Sequence, residues 1–231
     1  MRQKRKHDPA WDRPMYPAAE VGRLVRLNAT RVRRWLKGYE YTYGSKRRHQ
    51  GPVIRRKGTK GTTYASFLDL VDLLLVKRFL DHGVSLQKVR RALDEAAEIL
   101  GATHFARRSF FTDGRNIYLE VKGRGEAIVQ LLSGGQWVIA PIIQQLAEQI
   151  DFDSLTGMAR RWYPLGPSGL VVLDPMISFG RPTIVGKGVA TANVYDFYVA
   201  EHRQLSAVRN WLGLADDEVE AAVEFEGRLA A

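Results

Sequence analysis

The chain has 231 residues, 45% of them hydrophobic and 10% aromatic, a composition typical of globular domains. It contains no cysteine, which excludes disulfides, thiol catalysis and cysteine-ligated zinc or iron–sulfur centres. Residues 1–64 hold 18 Lys and Arg against 4 Asp and Glu, whereas residues 65–231 hold 17 against 21. This basic front and mildly acidic rear indicate a nucleic-acid-binding part joined to a part with another task.

The first residues are basic, but we do not expect a secretory signal, because no apolar stretch follows them. The longest apolar runs, at residues 73–76 and 138–143, are far too short to span a bilayer. We therefore expect a soluble cytoplasmic protein without a membrane partner. The basic arm over residues 1–13 is expected either to enter a DNA minor groove or to be disordered. Its candidate DNA contacts are Arg2, Lys4, Arg5 and Lys6.

Residues 17–38 have the pattern of two short helices joined by a tight turn. Pro17 suits the first turn of the first helix, whose apolar residues recur at helical spacing. Asn28 is suited to cap the second helix, at about Ala29–Lys37, and Gly38 is suited to end it. The second helix has an apolar side with a tryptophan and an outer side that is polar and basic. The candidate DNA contacts on the outer side are Thr30, Arg31, Arg33, Arg34 and Lys37.

This pattern predicts a helix-turn-helix, in which the second helix enters the DNA major groove. Arginine can bind guanine O6 and N7 there with two hydrogen bonds. For any single arginine the alternatives are a phosphate contact or a solvated surface, since half or more of such contacts go to the DNA backbone.

A second basic stretch follows the helix-turn-helix. Lys46–His49 is predicted to lie in a loop, residues 52–56 and 62–65 to form two short strands, and residues 57–61 to connect them. This arrangement is typical of a wing, a hairpin that lies against phosphates or in the minor groove. The alternative is an exposed hairpin with only a structural role. The candidate DNA contacts in this stretch are Lys46, Arg47, Arg48, Arg55, Arg56, Lys57 and Lys60.

An apolar helix is predicted from Phe67 to a stop at Gly83, followed by a helix that Ser85 caps. Together with the helix-turn-helix, the wing, the Tyr64 and Asp69 spacing and the segment 82–90, this resembles the DNA-binding domain of MerR-type regulators. A departure from that family is the long connection from Gly38 to Gly51.

The middle of the chain does not continue into a long coiled coil. Asp113-Gly114, between alternating stretches around 110–121, predicts a β-hairpin, and residues 138–150 predict a helix. Residues 160–174 are rich in Gly and Pro and suggest a joint between domains.

The last part of the chain predicts two short strands around the turn Gly186–Gly188 and then three helices. The helices are expected at about 194–201, 206–212 and 216–229, the last capped by Asp216. Aromatic side chains on them are interpreted as core or as contacts with a partner or a second copy. These candidates are Tyr195, Phe197, Tyr198, Trp211 and Phe225.

Asp174-Pro175, Gly180, Pro182, Ile184 and Gly186 make the tail similar to a small domain of unknown function that is common in bacterial antitoxins. The whole series in order resembles VapB-class antitoxins with a MerR-like head. The resemblance implies a type II antitoxin that binds its own operator as an autorepressor and neutralises a PIN-like ribonuclease toxin. It also implies a homodimer or a higher homo-oligomer. The segments that carry it are the head, 67–72, 104–106, 112–114, 161–164 and the tail.

The expected fold is therefore α+β and mainly α. It comprises the arm at 1–13, a MerR-like winged helix-turn-helix at 14–101, a middle hairpin, helix and linker at 102–169, and a hairpin-plus-three-helix domain at 170–231. The alternative function is a stand-alone MerR-like transcriptional regulator that responds to a small effector.

A nucleic-acid-processing enzyme is the third hypothesis, and it requires a metal site or an acid/base cluster. The five histidines lack metal-type spacing, and no acidic residues are paired by the sequence. Residues 132–136 spell the signature string of transporter ATPases, but no phosphate-cradling loop accompanies it. We therefore expect no enzymatic activity, no metal and no cofactor.

Overall fold

The computed structural model describes residues 9–54, 56, 62–100, 104–108 and 139–230. The fold is mixed α/β, and about half of these described residues are helical. The chain divides into two compact units: the described residues up to 147 with 152–159, and residues 148–151 with 160–230.

In chain order, the amino-terminal elements are α1 (Pro9–Asp12), α2 (Ala18–Val25), α3 (Ala29–Lys37), β1 (Tyr39–Tyr43), β2 (Lys46–Gln50), α4 (Phe67–Asp81) and α5 (Leu86–Leu100). After the middle segment come α6 (Ile139–Glu148), β3 (Ile150–Phe152), β4 (Ala159–Trp162), β5 (Val171–Val172), a 3-10 turn (Ser178–Gly180), β6 (Thr183–Ile184), α7 (Thr191–Ala200), α8 (Leu205–Leu212) and α9 (Asp216–Ala230). Within the described ranges, the sheets are two-stranded and pair β1 with β2, β3 with β4 and β5 with β6.

Helix α4 is the centre of the first unit, and α1, α2 and α5 pack against it. It is buried continuously over residues 67–76, which is why its sequence is apolar on almost every side. A capping box fixes its start, because the Ser66 N–H donates to Asp69 Oδ2 at 2.8 Å and the Asp69 N–H donates to Ser66 Oγ at 3.1 Å. Gly83, at φ +81°, follows its end, as predicted.

The β-hairpin of the first unit lies earlier in the chain than predicted. Lys46–His49 is not in a loop: these residues form most of β2, which pairs antiparallel with β1 across Gly44 and Ser45. The run Tyr39–Tyr43 is rich in residues with high β-propensity, and Gly44 supplies the positive φ of a tight two-residue turn. These local preferences outweigh the charge of the second strand.

The predicted strands at 52–56 and 62–65 are wrong for the residues that the structure describes there. Val53 and Ile54 lie in a bend, and both their N–H groups donate to the carbonyl oxygen of Trp35. Ala65 forms an isolated bridge with Tyr16. The predicted connection at 57–61 lies outside the described residues.

The second unit is built around α9, which contacts β5, β6, α7 and α8. The three predicted helices of the tail are confirmed as α7, α8 and α9. Asp216, however, is the first helical residue of α9 rather than its cap: Glu218 Oε2 accepts the Ala215 N–H at 2.7 Å.

The segment 160–174, predicted as a joint between domains, begins where the second unit resumes at residue 160; its Gly- and Pro-containing stretch 163–170 is half-buried or exposed, whereas Trp162 and residues 171–174 are buried. Trp162 is buried and bridges to Leu173, and the β-branched pair Val171–Val172 forms a buried strand. That strand pairs with Thr183–Ile184. Thr183 also forms an antiparallel bridge with Ala190, and the Ile184 N–H donates to the Val189 carbonyl, across the Gly186–Gly188 turn around which two strands were predicted. At the ends of the segment 160–174, the burial of apolar side chains decides the local structure in spite of the nearby Gly and Pro residues.

In the middle of the chain, the helix predicted at 138–150 is observed as α6, which ends at Glu148 because Ile150 begins β3. The predicted hairpin around 110–121 lies outside the described residues.

Candidate nucleic-acid interface

Gly22 of helix α2 lies against the turn that joins α2 to α3, where there is no room for a side chain. Helix α2 ends at Arg26 in the left-handed conformation, φ 54°, and the Leu27 N–H donates to the Gly22 carbonyl at 2.8 Å. A Cβ atom at Gly22 would lie 2.5 Å from the Leu27 carbonyl oxygen. Glycine is therefore what allows the two helices to meet at this angle.

We expect Gly22→Ala to lower the free energy of unfolding by about 1–2 kcal/mol, because backbone atoms must move to accommodate the methyl group. Denaturant unfolding followed by circular dichroism measures this loss. Gly51→Ala is the matched control, since a Cβ atom there meets nothing within 4 Å. Equal stability of the two variants would contradict the assignment of a steric role to Gly22.

Helix α3 is held so that its basic side faces away from the core. The Asn28 side chain accepts the Thr30 N–H at 2.8 Å, which confirms the predicted cap. Val32, Trp35 and Leu36 are buried. Gly38 ends the helix, as predicted. The predicted DNA contacts on the other side are all exposed: Thr30, Arg31, Arg33, Arg34 and Lys37.

The β1–β2 hairpin follows α3 directly and is exposed along most of its length. Directly opposed residues of an antiparallel pair share a face, and alternate residues along a strand change face. Tyr41 opposes Arg48 and Thr42 opposes Arg47, so the adjacent arginines lie on opposite faces. The first face, here called the tyrosine face, comprises Tyr39, Tyr41, Tyr43, Lys46, Arg48 and Gln50. The second face, here called the opposite face, comprises Glu40, Thr42, Arg47 and His49.

A groove of about 690 Å³ joins α3, the base of the hairpin and the start of α5. From α3 it is lined by Arg31 and Arg34, and from the hairpin by Tyr39 and Gln50. Arg90 of α5 lines it as well and donates through Nη1 to the Gly51 carbonyl at 2.7 Å. Burial lowers the pKa of Arg90 from its ordinary value. The groove is thus lined by cations from two helices and by the tyrosine face.

Arg56 was predicted to contact DNA, but the structure places it inside the first unit. Its Nη2 atom lies 2.9 Å from Asp69 Oδ2, and the two side chains are only 5% and 2% exposed. The guanidinium also donates to the carbonyl oxygens of Thr62 and Tyr64 at 3.2 and 2.5 Å. Arg56 therefore stabilises the loop before α4, and it is not one of the exposed cations that could contact DNA.

The remaining predicted DNA contacts are not described by the structure. They are Arg2, Lys4, Arg5, Lys6, Arg55, Lys57 and Lys60.

The His104 side chain joins helix α1 to helix α4, a role that its position in the sequence did not indicate. Its Nδ1 atom lies 2.8 Å from Asp72 Oδ2 of α4, and its Nε2 atom lies 2.9 Å from Asp12 Oδ1 of α1. Burial alone would lower the pKa of His104, but hydrogen bonds to Asp12 and Asp72 outweigh it and raise that pKa to about 10. The raised pKa favours the imidazolium form of His104 at neutral pH, held between Asp12 and Asp72; burial raises the pKa of Asp72 as well, and its hydrogen bond to His104 opposes that rise.

We expect the free energy of unfolding to fall as the pH rises from about 7 to 10. The folded-state pKa of His104 is about 10, above its ordinary value of 6.5. Its contribution is therefore complete below pH 6.5 and is lost as the pH passes through the folded value. His104→Gln should remove this slope and cost on the order of 2 kcal/mol at pH 7. Urea unfolding across this pH range measures both effects, and identical pH slopes for wild type and variant would contradict the assignment.

The predicted partner contacts of the tail fall into three groups. Tyr195, Phe197 and Tyr198 of α7 are half-buried. Trp211 is 78% exposed and meets the Phe197 ring edge-on at 6.2 Å between centroids. Phe225 is buried in the core of the second unit, so it is not available to a partner.

Asp174, one of the tail residues that carry the antitoxin resemblance, is a buried structural acceptor. Its Oδ2 atom accepts from Arg161 Nε at 2.6 Å, and its Oδ1 atom accepts the Met176 N–H at 2.8 Å. The hydrogen bond to Asp174 raises the pKa of Arg161. Asp174 thereby joins β4 to the loop after β5, which explains an acidic residue next to a proline at this point.

No cluster of three or more His, Asp or Glu side chains placed to hold a metal ion is present in the part of the chain that the structure describes. In that same part, no helix is both long enough and apolar enough to cross a membrane.

No family model matches the chain. It is 28% identical over 198 residues to "Putative antitoxin VapB45" of Mycobacterium tuberculosis, a stretch that covers 80% of this chain and 82% of that protein. It is 38% identical over 88 residues to "Uncharacterized HTH-type transcriptional regulator Mb1861" of Mycobacterium bovis, covering 38% of each. The crystal structure of Rv2018 from Mycobacterium tuberculosis matches 92% of this chain and 99% of that one, with a TM-score of 0.68 and 24% identity.

The fold of the described residues is therefore the one seen in the Rv2018 structure. These relatives are named as an antitoxin and as a helix-turn-helix regulator, and neither name denotes an enzyme. By sequence, the chain is similar to antitoxins and helix-turn-helix transcriptional regulators.

Proposed function

We propose that the chain is the antitoxin of a type II toxin–antitoxin system and that it represses its own promoter. In this proposal the first unit, a MerR-like head with β1–β2 as a wing, binds operator DNA. The second unit and the middle segment hold a PIN-like ribonuclease toxin. The protein acts in the cytoplasm without a cofactor or enzymatic activity of its own.

The main support for DNA binding by the first unit is the exposed side of α3. It presents Arg31, Arg33, Arg34 and Lys37 to solvent from a rigid frame set by the Asn28 cap and the buried Trp35. A helix of nine residues exposed in this way fits the major groove, and its arginines match guanine O6 and N7. The 88-residue similarity to a named helix-turn-helix regulator supports the same interpretation.

The toxin-binding part rests on the relative named as an antitoxin, which is similar over 82% of its length. The exposed Trp211, with Phe197 beside it, supports a protein contact by the second unit, since exposed tryptophan is enriched at interfaces. A homodimer or a higher homo-oligomer would present two heads to a two-fold operator, with half-sites about one helical turn or a multiple apart.

Co-expression of the full chain with the protein encoded beside it tests this proposal. We expect a stoichiometric complex on gel filtration, loss of that protein's ribonuclease activity in the complex, and binding of the complex to the upstream promoter DNA. Trp211→Ala should weaken the complex without affecting DNA binding. Its control for complex formation is Tyr64→Ala, which removes an aromatic side chain that is 50% exposed in the first unit, outside the middle segment.

The alternative is a stand-alone regulator that responds to a small effector. It is favoured by the regulator-named relative, whose similarity covers only 38% of this chain. Promoter binding without any protein partner, together with an affinity for DNA that shifts on adding a small molecule, would select this alternative. A chain that is strictly monomeric both on and off DNA would contradict the two-fold operator.

A further inference from the structure

The two faces of the β1–β2 hairpin differ in chemistry. The tyrosine face carries three aromatic rings, Lys46 and Arg48, and no acidic residue. The opposite face carries one acidic residue, Glu40, directly across from His49, and one arginine, Arg47, directly across from Thr42. Tyr43 and Tyr41 are 71% and 38% exposed, a display of aromatic surface that a purely structural hairpin does not need.

Two pairs of side chains on the tyrosine face are in contact with each other. The Arg48 guanidinium carbon lies 5.4 Å from the centroid of the Tyr43 ring, and the Tyr39 and Tyr41 rings are 5.9 Å apart. Cation–π contacts of this kind hold long side chains in place without neutralising their charge. The face is therefore both positive and aromatic.

The tyrosine face is continuous with the exposed side of α3. The Arg34 guanidinium carbon lies 4.9 Å from the centroid of the Tyr39 ring, which links α3 to β1. Tyr39 and Gln50 line the same groove as Arg31 and Arg34. A DNA duplex whose major groove holds α3 therefore meets the tyrosine face next. The opposite face of the hairpin points away from the protein groove between α3 and the hairpin.

We propose that the tyrosine face is a second DNA-binding surface, in which Tyr41 and Tyr43 pack against the sugar–phosphate wall of the groove beside the one that α3 enters and Arg48 and Lys46 pair with phosphates. The partner is double-stranded DNA, because positive charge matches phosphate and a two-stranded ribbon fits a duplex groove. This proposal rests on the proposed function of the head and adds residues that the sequence did not identify as DNA contacts, Tyr41 and Tyr43.

The two kinds of contact have different salt dependences. Each Lys or Arg that pairs with a phosphate contributes about 0.9 to the slope of log affinity against log salt concentration, whereas a packed tyrosine ring contributes nothing to that slope. Removing rings should therefore lower affinity at every salt concentration alike. Removing Arg48 should lower both the affinity and the slope.

The test measures fluorescence anisotropy of the full chain with the duplex upstream of its own gene, a random duplex and a single strand of the same length. We expect Tyr41→Ala/Tyr43→Ala to weaken binding to both duplexes about tenfold or more with an unchanged salt slope. Thr42→Ala, on the opposite face, should bind like wild type. Circular dichroism confirms that each variant is folded.

A second comparison does not depend on the tyrosine variants. Arg48→Ala and Arg47→Ala remove the same charge from neighbouring positions on opposite faces. We expect the salt slope to fall by about one only for Arg48→Ala, so Arg47, which the sequence predicted as a DNA contact, is not one in this proposal. The proposal would be overturned if the two arginine variants lowered the salt slope equally. It would also be overturned if Tyr41→Ala/Tyr43→Ala reduced the affinity for the single strand but not for the duplexes.

Failure of this inference and failure of the proposed function give different results. If the recognition-helix variant Arg33→Ala/Arg34→Ala loses the upstream duplex but the tyrosine variant binds it as tightly as wild type, only the inference is overturned. If wild-type protein binds no duplex at all, both are overturned.

Discussion

Replacing Arg33 and Arg34 together by alanine is expected to weaken operator binding by about 2–6 kcal/mol, because each arginine that binds a base with two hydrogen bonds contributes about 1–3 kcal/mol. Both side chains are exposed on α3, so the protein itself should remain folded. Discrimination between the operator and random DNA should shrink along with the affinity. Anisotropy titrations on both DNAs measure the two quantities.

The single variants separate the roles of the two arginines. Arg34 also lies over the Tyr39 ring, so Arg34→Ala is expected to reduce stability by up to about 1 kcal/mol in addition to its effect on DNA. Arg33 is exposed on α3, so Arg33→Ala should act on DNA alone. Relaxed preference at one base pair identifies a base contact, as opposed to a phosphate contact.

Arg181→Ala is the control, since it removes the same charge from an exposed position in the second unit. It should leave operator affinity unchanged. If the double variant weakens operator and random DNA equally, both arginines contact phosphates, and the sequence must be recognised by other residues or through DNA shape.

The local features of the head were predictable from the sequence because they depend on neighbouring residues. Asn28 accepts an N–H two residues later, and Ser85 accepts one three residues later. Gly38 and Gly83 have the positive φ that their positions after helices suggest. Within the same stretch, the alternation of basic and apolar residues on α3 was sufficient to predict which side chains face solvent.

Features that join distant parts of the chain were not predictable. His104 meets Asp72 across 32 residues, and nothing near either residue in sequence indicates the other. The hairpin was misplaced for a related reason: Lys46–His49 resembles a solvated loop until Tyr39–Tyr43 is known to pair with it. Likewise, Phe225 could be recognised as core only when β5, β6 and α7 were in place around α9.

Arg56 is the position where these two kinds of information conflict, because its basic neighbours suggested DNA while its contact with Asp69 is internal. We expect Arg56→Ala to lower the free energy of unfolding by about 3–5 kcal/mol, since it leaves the Asp69 carboxylate buried without its cation. The loop carbonyls of Thr62 and Tyr64 lose their donor as well. Urea denaturation at pH 7 measures the loss.

A matched double variant shows whether the buried charge is the cause. Arg56→Met/Asp69→Asn removes both charges and retains similar side-chain volume, so it should recover part of the stability that Arg56→Ala loses. The Asp69 side chain also caps α4 through the Ser66 N–H, and asparagine can still accept that hydrogen bond. If Arg56→Ala instead left stability unchanged and weakened DNA binding, Arg56 would belong to the DNA-binding surface, and its ion pair with Asp69 would contribute little to the fold.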